Sequence, residues 1–253
     1  MEQSTQQKQK FFSSTRIAFI ATFATLTGIL HLLKFPLSFA FPSFLEFKFS
    51  DIPVLIGSFT LGPLSGGVIA TVGILIKLMF KGTSTMFVGD LSDLVTSVVF
   101  AVTAGIIYKR HRTFKGAIVA MAAGTFAEVT VAILFNWLVL VPFYVQFFFH
   151  GSWEPLLGMM RTLFPSCTRQ NFYNLYLWVS VLPFNLMRCI VAILITLPIY
   201  KRISKLITAV NRKLDGEGKN EKTAKRVNIG FIVGGAVLLA LIVLFVLLNY
   251  FVF

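Results

Sequence analysis

Three long apolar stretches of this 253-residue chain each carry an isolated polar side chain or pair near one end: Lys77, Asn136, and Asn185 with Arg188. Such groups are expensive in hydrocarbon and mark binding or transport paths. At about 1.5 Å of rise per residue, Lys77 lies roughly 5 Å, Asn136 roughly 6 Å and Asn185 roughly 12 Å in from the same face. Asn185 and Arg188 are three residues apart and therefore share a helix face. An asparagine amide offers donors and an acceptor together. Two of them can read the edge of a planar heterocycle that alternates donors and acceptors, and a cation can bond a carbonyl, a hydroxyl or a phosphate. Phe135, Trp137 and Phe184 stand close in sequence and could supply apolar surface for a flat ring. The plain alternative is that the asparagines glue helices together. Their matched depth favours a shared small-molecule pocket.

Glu128 bears on this set. It lies twelve residues from the outer end of its segment, and Arg188 lies eleven from its own. A lone charge at that depth costs roughly 2.5–3.5 kcal/mol on insertion scales. Their depths nearly match, so the two could pair; Arg188 is then either a structural partner of Glu128 and only secondarily a ligand contact, or a ligand contact in its own right.

The elements that position these residues are membrane helices. The chain is 56% hydrophobic and 13% charged, where a soluble domain carries about 25% charged residues. Apolar runs near the length needed to cross a bilayer fall at 16–33, 62–80, 88–108, 115–140, 177–200 and 228–253, with a shorter one at 51–61. The short run joins the next through Gly62-Pro63, which predicts a tight helical hairpin over 51–80 with Pro63 in a first turn. Gly57, Gly62, Gly66, Gly67 and Gly73 allow close helix packing there. The fold class is an all-α integral membrane protein.

Basic residues set the expected orientation. With the N-terminus inside, the inner segments hold sixteen lysines and arginines: Lys8, Lys10, Arg16, Lys109, Arg110, Arg112, Lys115 and the nine from Lys201 to Arg226. The outer segments hold five: Lys34, Lys48, Lys81, Arg161 and Arg169. Seven spans then put the C-terminus outside. The net charge of +13 belongs to the inner membrane face, where anionic lipid attracts it, and not to nucleic acid. No signal peptide is read at the start, because the polar stretch 1–10 is too long and no small-residue cleavage site follows the first span.

Two outer connections are long and aromatic, 34–50 and 141–176. Either could be an interfacial belt or a lid over an outward-facing pocket, and 34–50 is the better lid. Asp90 and Asp93, at the outer start of the fourth helix, read as partners of the helix dipole. His31, His111 and His150 are scattered, so no metal set follows. Cys167 and Cys189 read as free thiols. The inner segment 204–227 reads as a solvated basic linker. It lacks the Gly-x-x-x-x-Gly-Lys-Ser/Thr loop, so the chain itself is not expected to hydrolyse ATP. Nothing argues for an enzyme.

Several motifs together resemble one family. They are Phe35-Pro36; Phe49-Ser50-Asp51-Ile52-Pro53-Val54-Leu55-Ile56-Gly57; Leu61-Gly62-Pro63-Leu64-Ser65-Gly66; Val88-Gly89-Asp90-Leu91; Asn136 through Tyr144; and Pro183-Phe184-Asn185-Leu186-Met187-Arg188. Over about residues 16–206 the chain resembles the riboflavin-specific substrate-binding (S) components of energy-coupling factor (ECF) vitamin transporters. The resemblance implies a six-helix bundle with riboflavin near the outer face under the first outer loop. It implies a transmembrane coupling subunit and two cytoplasmic ATPases as partners. It carries Asn136, Asn185 and Arg188 to the ligand, with Lys77 close by. It also implies a docking face of small residues on the first helix, here Ala18/Thr22 and Ala21/Thr25. The chain departs from the family at Arg188, where lysine is usual, at Leu78, where Asn or Asp often follows the lysine, and in its seventh span.

The expected organisation is a cytoplasmic tail 1–15, a six-helix binding domain 16–206, a basic linker 207–227 and an additional C-terminal transmembrane helix 228–253. The expected function is substrate capture for an ATP-driven importer. The alternatives are a related ligand such as a flavin phosphate or another vitamin, and a stand-alone secondary transporter with Glu128 as proton relay.

Overall fold

A computed structural model describes the backbone of residues 14–217 and the side chains of 14–210. The seventh span expected at 228–253 lies outside the described residues, as does most of the linker.

The chain opens with α1, Ser14–Leu32, and a small antiparallel hairpin of β1, Phe35–Pro36, with β2, Glu46–Phe47. Next come α2, Asp51–Leu61, α3, Pro63–Lys81, and α4, Val88–Arg110. A long helix α5, Phe114–Phe148, follows, and then a short helix α6, Glu154–Arg161. The last helix, α7, starts as π-helical Asn174–Val181 and continues as Leu182–Glu217. Five helices are long and apolar enough to cross a membrane, and α2 is apolar but short. The chain is a multi-pass membrane protein. Among the described residues the expected six-helix count is not reproduced as such: five long helices and the short α2 are joined by a further short helix, α6, and a two-stranded hairpin.

The 51–80 hairpin forms as its sequence predicts. Pro63 opens α3, and Gly62 takes φ +100° between the two helices. The packing is close enough that glycine is required: a Cβ on Gly66 would lie 2.6 Å from Ser58 Cβ. Gly67 has ordinary room, with its nearest neighbour at 3.6 Å. Ser58 donates to the Ala101 carbonyl at 2.6 Å, tying α2 to α4. Helix α2 sits among α3, α4 and α7, while α1 packs on α3 and α4 on α5. One apolar core fills this region around Leu55, Ile69, Phe100, Met121 and Tyr200. A second, around Leu157, Met160, Phe172 and Tyr176, binds α6 and the start of α7 to the outer half of α5.

One helix end departs from expectation: the fifth apolar run reads as 115–140, yet the helix runs to Phe148 and carries Pro142 inside it. π-helical turns at Asn136–Leu140 and Tyr144–Phe148 bracket the proline. Bonding to the fifth residue widens the turn, which accommodates a ring that would collide with an α-helical carbonyl. The Asn136 carbonyl, for instance, accepts from the Val141 N–H. Pro183 follows a second π-helical stretch in α7 in the same way. The segment 141–176 is therefore largely folded structure and not a loop. At its C-terminal end α7 continues to Glu217, past the expected start of the linker at 207.

Candidate functional site

Helices α3, α4, α5 and α7 and the 35–47 hairpin enclose a cavity with about 760 Å³ of empty space, counted out to its open mouth. Lys77, Asn136, Asn185 and Arg188 all line it. Each is buried, with 2–5% of its surface exposed. Four residues from three separate stretches of sequence thus border one void.

The asparagines are seated by their own helices. Asn136 donates from Nδ2 to the Ala132 carbonyl at 2.7 Å, and Asn185 donates from Nδ2 to the Val181 carbonyl at 2.8 Å. Such bonds back to the preceding turn fix the amide plane. Tyr176 donates its hydroxyl to Asn136 Oδ1 at 2.5 Å. Among the described residues no hydrogen bond engages the second N–H of either amide or the Asn185 carbonyl oxygen. That mix of donor and acceptor suits a heterocycle edge.

The cations are less available than their sequence positions suggest. Lys77 donates to Asp90 Oδ1 at 2.5 Å and to the Gly82 carbonyl at 2.9 Å. Arg188 pairs directly with Glu128, as its depth predicts, and its Nε stands 3.4 Å from Asp51 Oδ2. Ser97 donates to Asp51 Oδ1 at 2.6 Å, and the Cys189 thiol lies 3.2 Å from Glu128 Oε2. A charge in this setting is stabilised only with its partners in place. Glu128 is fully buried and does not border the cavity, so it reaches a ligand only through Arg188.

The acids at the start of α4 are ion-pair partners as well, with Asp90 in the first turn of the helix. Asp90 holds Lys77, and Asp93 takes Lys48 at 2.8 Å and His31 at 3.0 Å. Asp93 thus ties the end of the first outer connection to α4 and α1. The hairpin is tied again by the Lys34–Glu46 pair. Burial works against the Lys34 charge, but Glu46, Asp93 and Asp90 together outweigh it and raise the Lys34 pKa above its ordinary value.

The aromatic lining is Phe44, Tyr144, Tyr176 and Phe184. Phe184 was expected; Phe135 and Trp137 are not among the lining residues. Trp137 is 49% exposed, because one residue along a helix turns the side chain by about 100° away from Asn136. The 34–50 connection covers the site: Phe41 meets Phe184 edge-on at 5.2 Å, and Phe44 packs on Tyr176 at 5.5 Å. From 141–176, Tyr144 and Tyr176 line the cavity as parts of helices. Sequence reasoning missed Tyr176 and Asp51 as members of the site. The signal for Asp51 was present, since it is one of only ten acids in the chain and opens an apolar run.

A family model described as the substrate-specific component of ECF transporters matches residues 15–200. A riboflavin transporter, RibU, of Staphylococcus aureus (strain TCH60) is 26% identical over 205 residues, covering 81% of this chain and 98% of that protein. A RibU riboflavin transporter of Lactococcus lactis subsp. cremoris (strain NZ9000) is 30% identical over 192 residues, covering 71% and 88%. Among solved structures, the S component of a bacterial ECF transporter superposes with a TM-score of 0.58 at 26% identity, over 76% of this chain and 96% of that one.

Proposed function

We infer, from the premise that this chain belongs to the substrate-specific component family of ECF transporters, that it captures riboflavin at the outer membrane face for ATP-driven uptake. The observation that carries the reading is the meeting of Lys77, Asn136, Asn185 and Arg188 at one cavity beneath the 34–50 hairpin. The two amides supply the donor and acceptor pattern of a flavin ring edge, and Phe184 and Tyr176 supply apolar flanks. Arg188 is oriented by Glu128 and Asp51 and presents what remains of its donor fork. Similarity to riboflavin transporters over most of the chain supports the same ligand.

The N-terminus and the basic segments lie on the cytoplasmic side in this reading, and the cavity opens outward. Energy comes from other chains: a transmembrane coupling subunit and two cytoplasmic ATPases. The α1 face bearing Ala18, Ala21, Thr22 and Thr25 suits docking. Its threonine hydroxyls bond back to Ala18 and Ala21 carbonyls at 2.9 Å, so they present little unsatisfied polarity to a packed helix.

The test is direct. The purified full chain is expected to quench the fluorescence of added riboflavin at stoichiometric amounts. Absence of quenching in ligand-free, folded protein would sink the reading. In proteoliposomes, uptake is expected only when the coupling subunit and ATPases are present with ATP.

A further inference from the structure

Each cation lining the cavity is already held by a carboxylate: Lys34 by Glu46, Lys77 by Asp90, and Arg188 by Glu128 and Asp51. Asp90 stands apart among these acids. It lines the cavity and is only 6% exposed. Its Oδ1 takes the Lys77 ammonium, but its Oδ2 is buried with no hydrogen-bond partner among the described residues. None of the described hydroxyls is bonded to this oxygen: Thr96 donates to the Ser92 carbonyl at 2.9 Å, and Thr85 Oγ1, 3.4 Å from Thr83 Oγ1, accepts from the Gly89 N–H at 3.2 Å. A buried acceptor without a donor is costly, and each one in a native structure calls for a partner.

We propose that Asp90 is a specificity-determining residue: its Oδ2 accepts a hydrogen bond from a hydroxyl of the bound ligand, and its charge excludes the phosphate ester of that ligand. The proposal rests on the flavin-capture reading and deepens it, from flavin in general to the uncharged, polyhydroxylated flavin. A hydroxyl donates to Oδ2 and completes the acceptor. A phosphate near neutral pH carries about −1.5 to −2 charge and offers mainly acceptor oxygens. To gain a cation it must pull Lys77 from Asp90, and that strands a carboxylate in a buried site. Lys34 and Arg188 are committed in the same way.

The experiment titrates the purified full chain with riboflavin and with flavin mononucleotide, following flavin fluorescence. The wild type is expected to bind riboflavin at least about tenfold more tightly, the scale of one hydrogen bond to a charged group. Asp90→Asn should weaken riboflavin and narrow that ratio about tenfold, because Lys77 is released and the repulsion is gone. Asp90→Glu keeps the charge and should keep the preference. Equal affinities in the wild type, or a ratio unchanged in Asp90→Asn, would overturn the proposal while leaving riboflavin capture intact. Wild-type protein that binds neither flavin would sink the capture reading itself. If Asp90→Asn does not fold, Lys77→Gln decides: Asp90 then stands uncompensated, and the preference for riboflavin must widen. An unchanged or narrower ratio in that variant would overturn the proposal.

Discussion

Arg188 and Glu128 face each other across the seam between α5 and α7, in a direct ion pair that leaves the carboxylate with no exposed surface. Arg188 borders the cavity and Glu128 does not. The acid therefore acts on the site only by holding the guanidinium. Asp51 at 3.4 Å holds it from a third helix, α2. This arrangement makes Glu128 a poor proton relay and a good anchor.

Its energetic consequence is testable. Breaking a buried pair from one side costs about 3–5 kcal/mol. Arg188→Ala strands two carboxylates and should reach that range. Glu128→Gln leaves Arg188 with Asp51 and should cost less. Unfolding midpoints in detergent compare the two; equal losses would show that Asp51 contributes nothing to holding the guanidinium.

Asn136 and Asn185 should matter to binding more than to folding. Each spends one N–H on its own helix, and Asn136 Oδ1 also accepts from Tyr176; in the capture reading the remaining amide groups serve the ligand. Replacing either by Ala should weaken riboflavin binding by about 1–3 kcal/mol, the cost of stranding a buried polar partner. Fluorescence titration measures this. Unchanged affinity in both variants would move the site elsewhere.

Tyr176 offers a finer probe. Its hydroxyl donates to Asn136 Oδ1 while its ring packs on Phe44. Tyr176→Phe removes only the hydroxyl. Riboflavin affinity should fall by about 0.5–1.5 kcal/mol, the net worth of one such bond, with the unfolding midpoint nearly constant.

The hairpin over the cavity should govern release. Phe41 and Phe44 lean on Phe184 and Tyr176 of the site. Phe44→Ala opens that contact and should speed riboflavin dissociation several-fold with little change in association, as changes at one interface act mainly through the off-rate. Stopped-flow fluorescence separates the two.

Deleting 228–253 should leave riboflavin binding unchanged. Among the described residues, those lining the cavity lie between Lys34 and Arg188. A loss of affinity in the truncated protein would bring that segment into the site.

The sequence was most legible where the rule is one of solvent. Apolar length marked the spans, and rare polar residues inside them marked Lys77, Asn136, Asn185 and Arg188. Equal depth foretold the Arg188–Glu128 pair, because two helices of one bundle share the bilayer as a ruler. It was less legible at helix ends. The apolar run reads as ending at Leu140, and the widened turns beginning at Asn136 carry α5 past Pro142 to Phe148. Trp137 was misplaced for a related reason: closeness in sequence does not fix the face.

Taken alone, the amino-acid order determined that this chain lives in a membrane, where its helices lie, and which few side chains must justify their presence in hydrocarbon. Only the tertiary structure decided who their partners are: Asp90 for Lys77, Asp51 beside Glu128 for Arg188, Tyr176 for Asn136. Burial of a polar group is a property of its own segment and can be read along one dimension. Compensation of that group depends on which helix faces are turned toward each other, and that is settled only when the bundle packs.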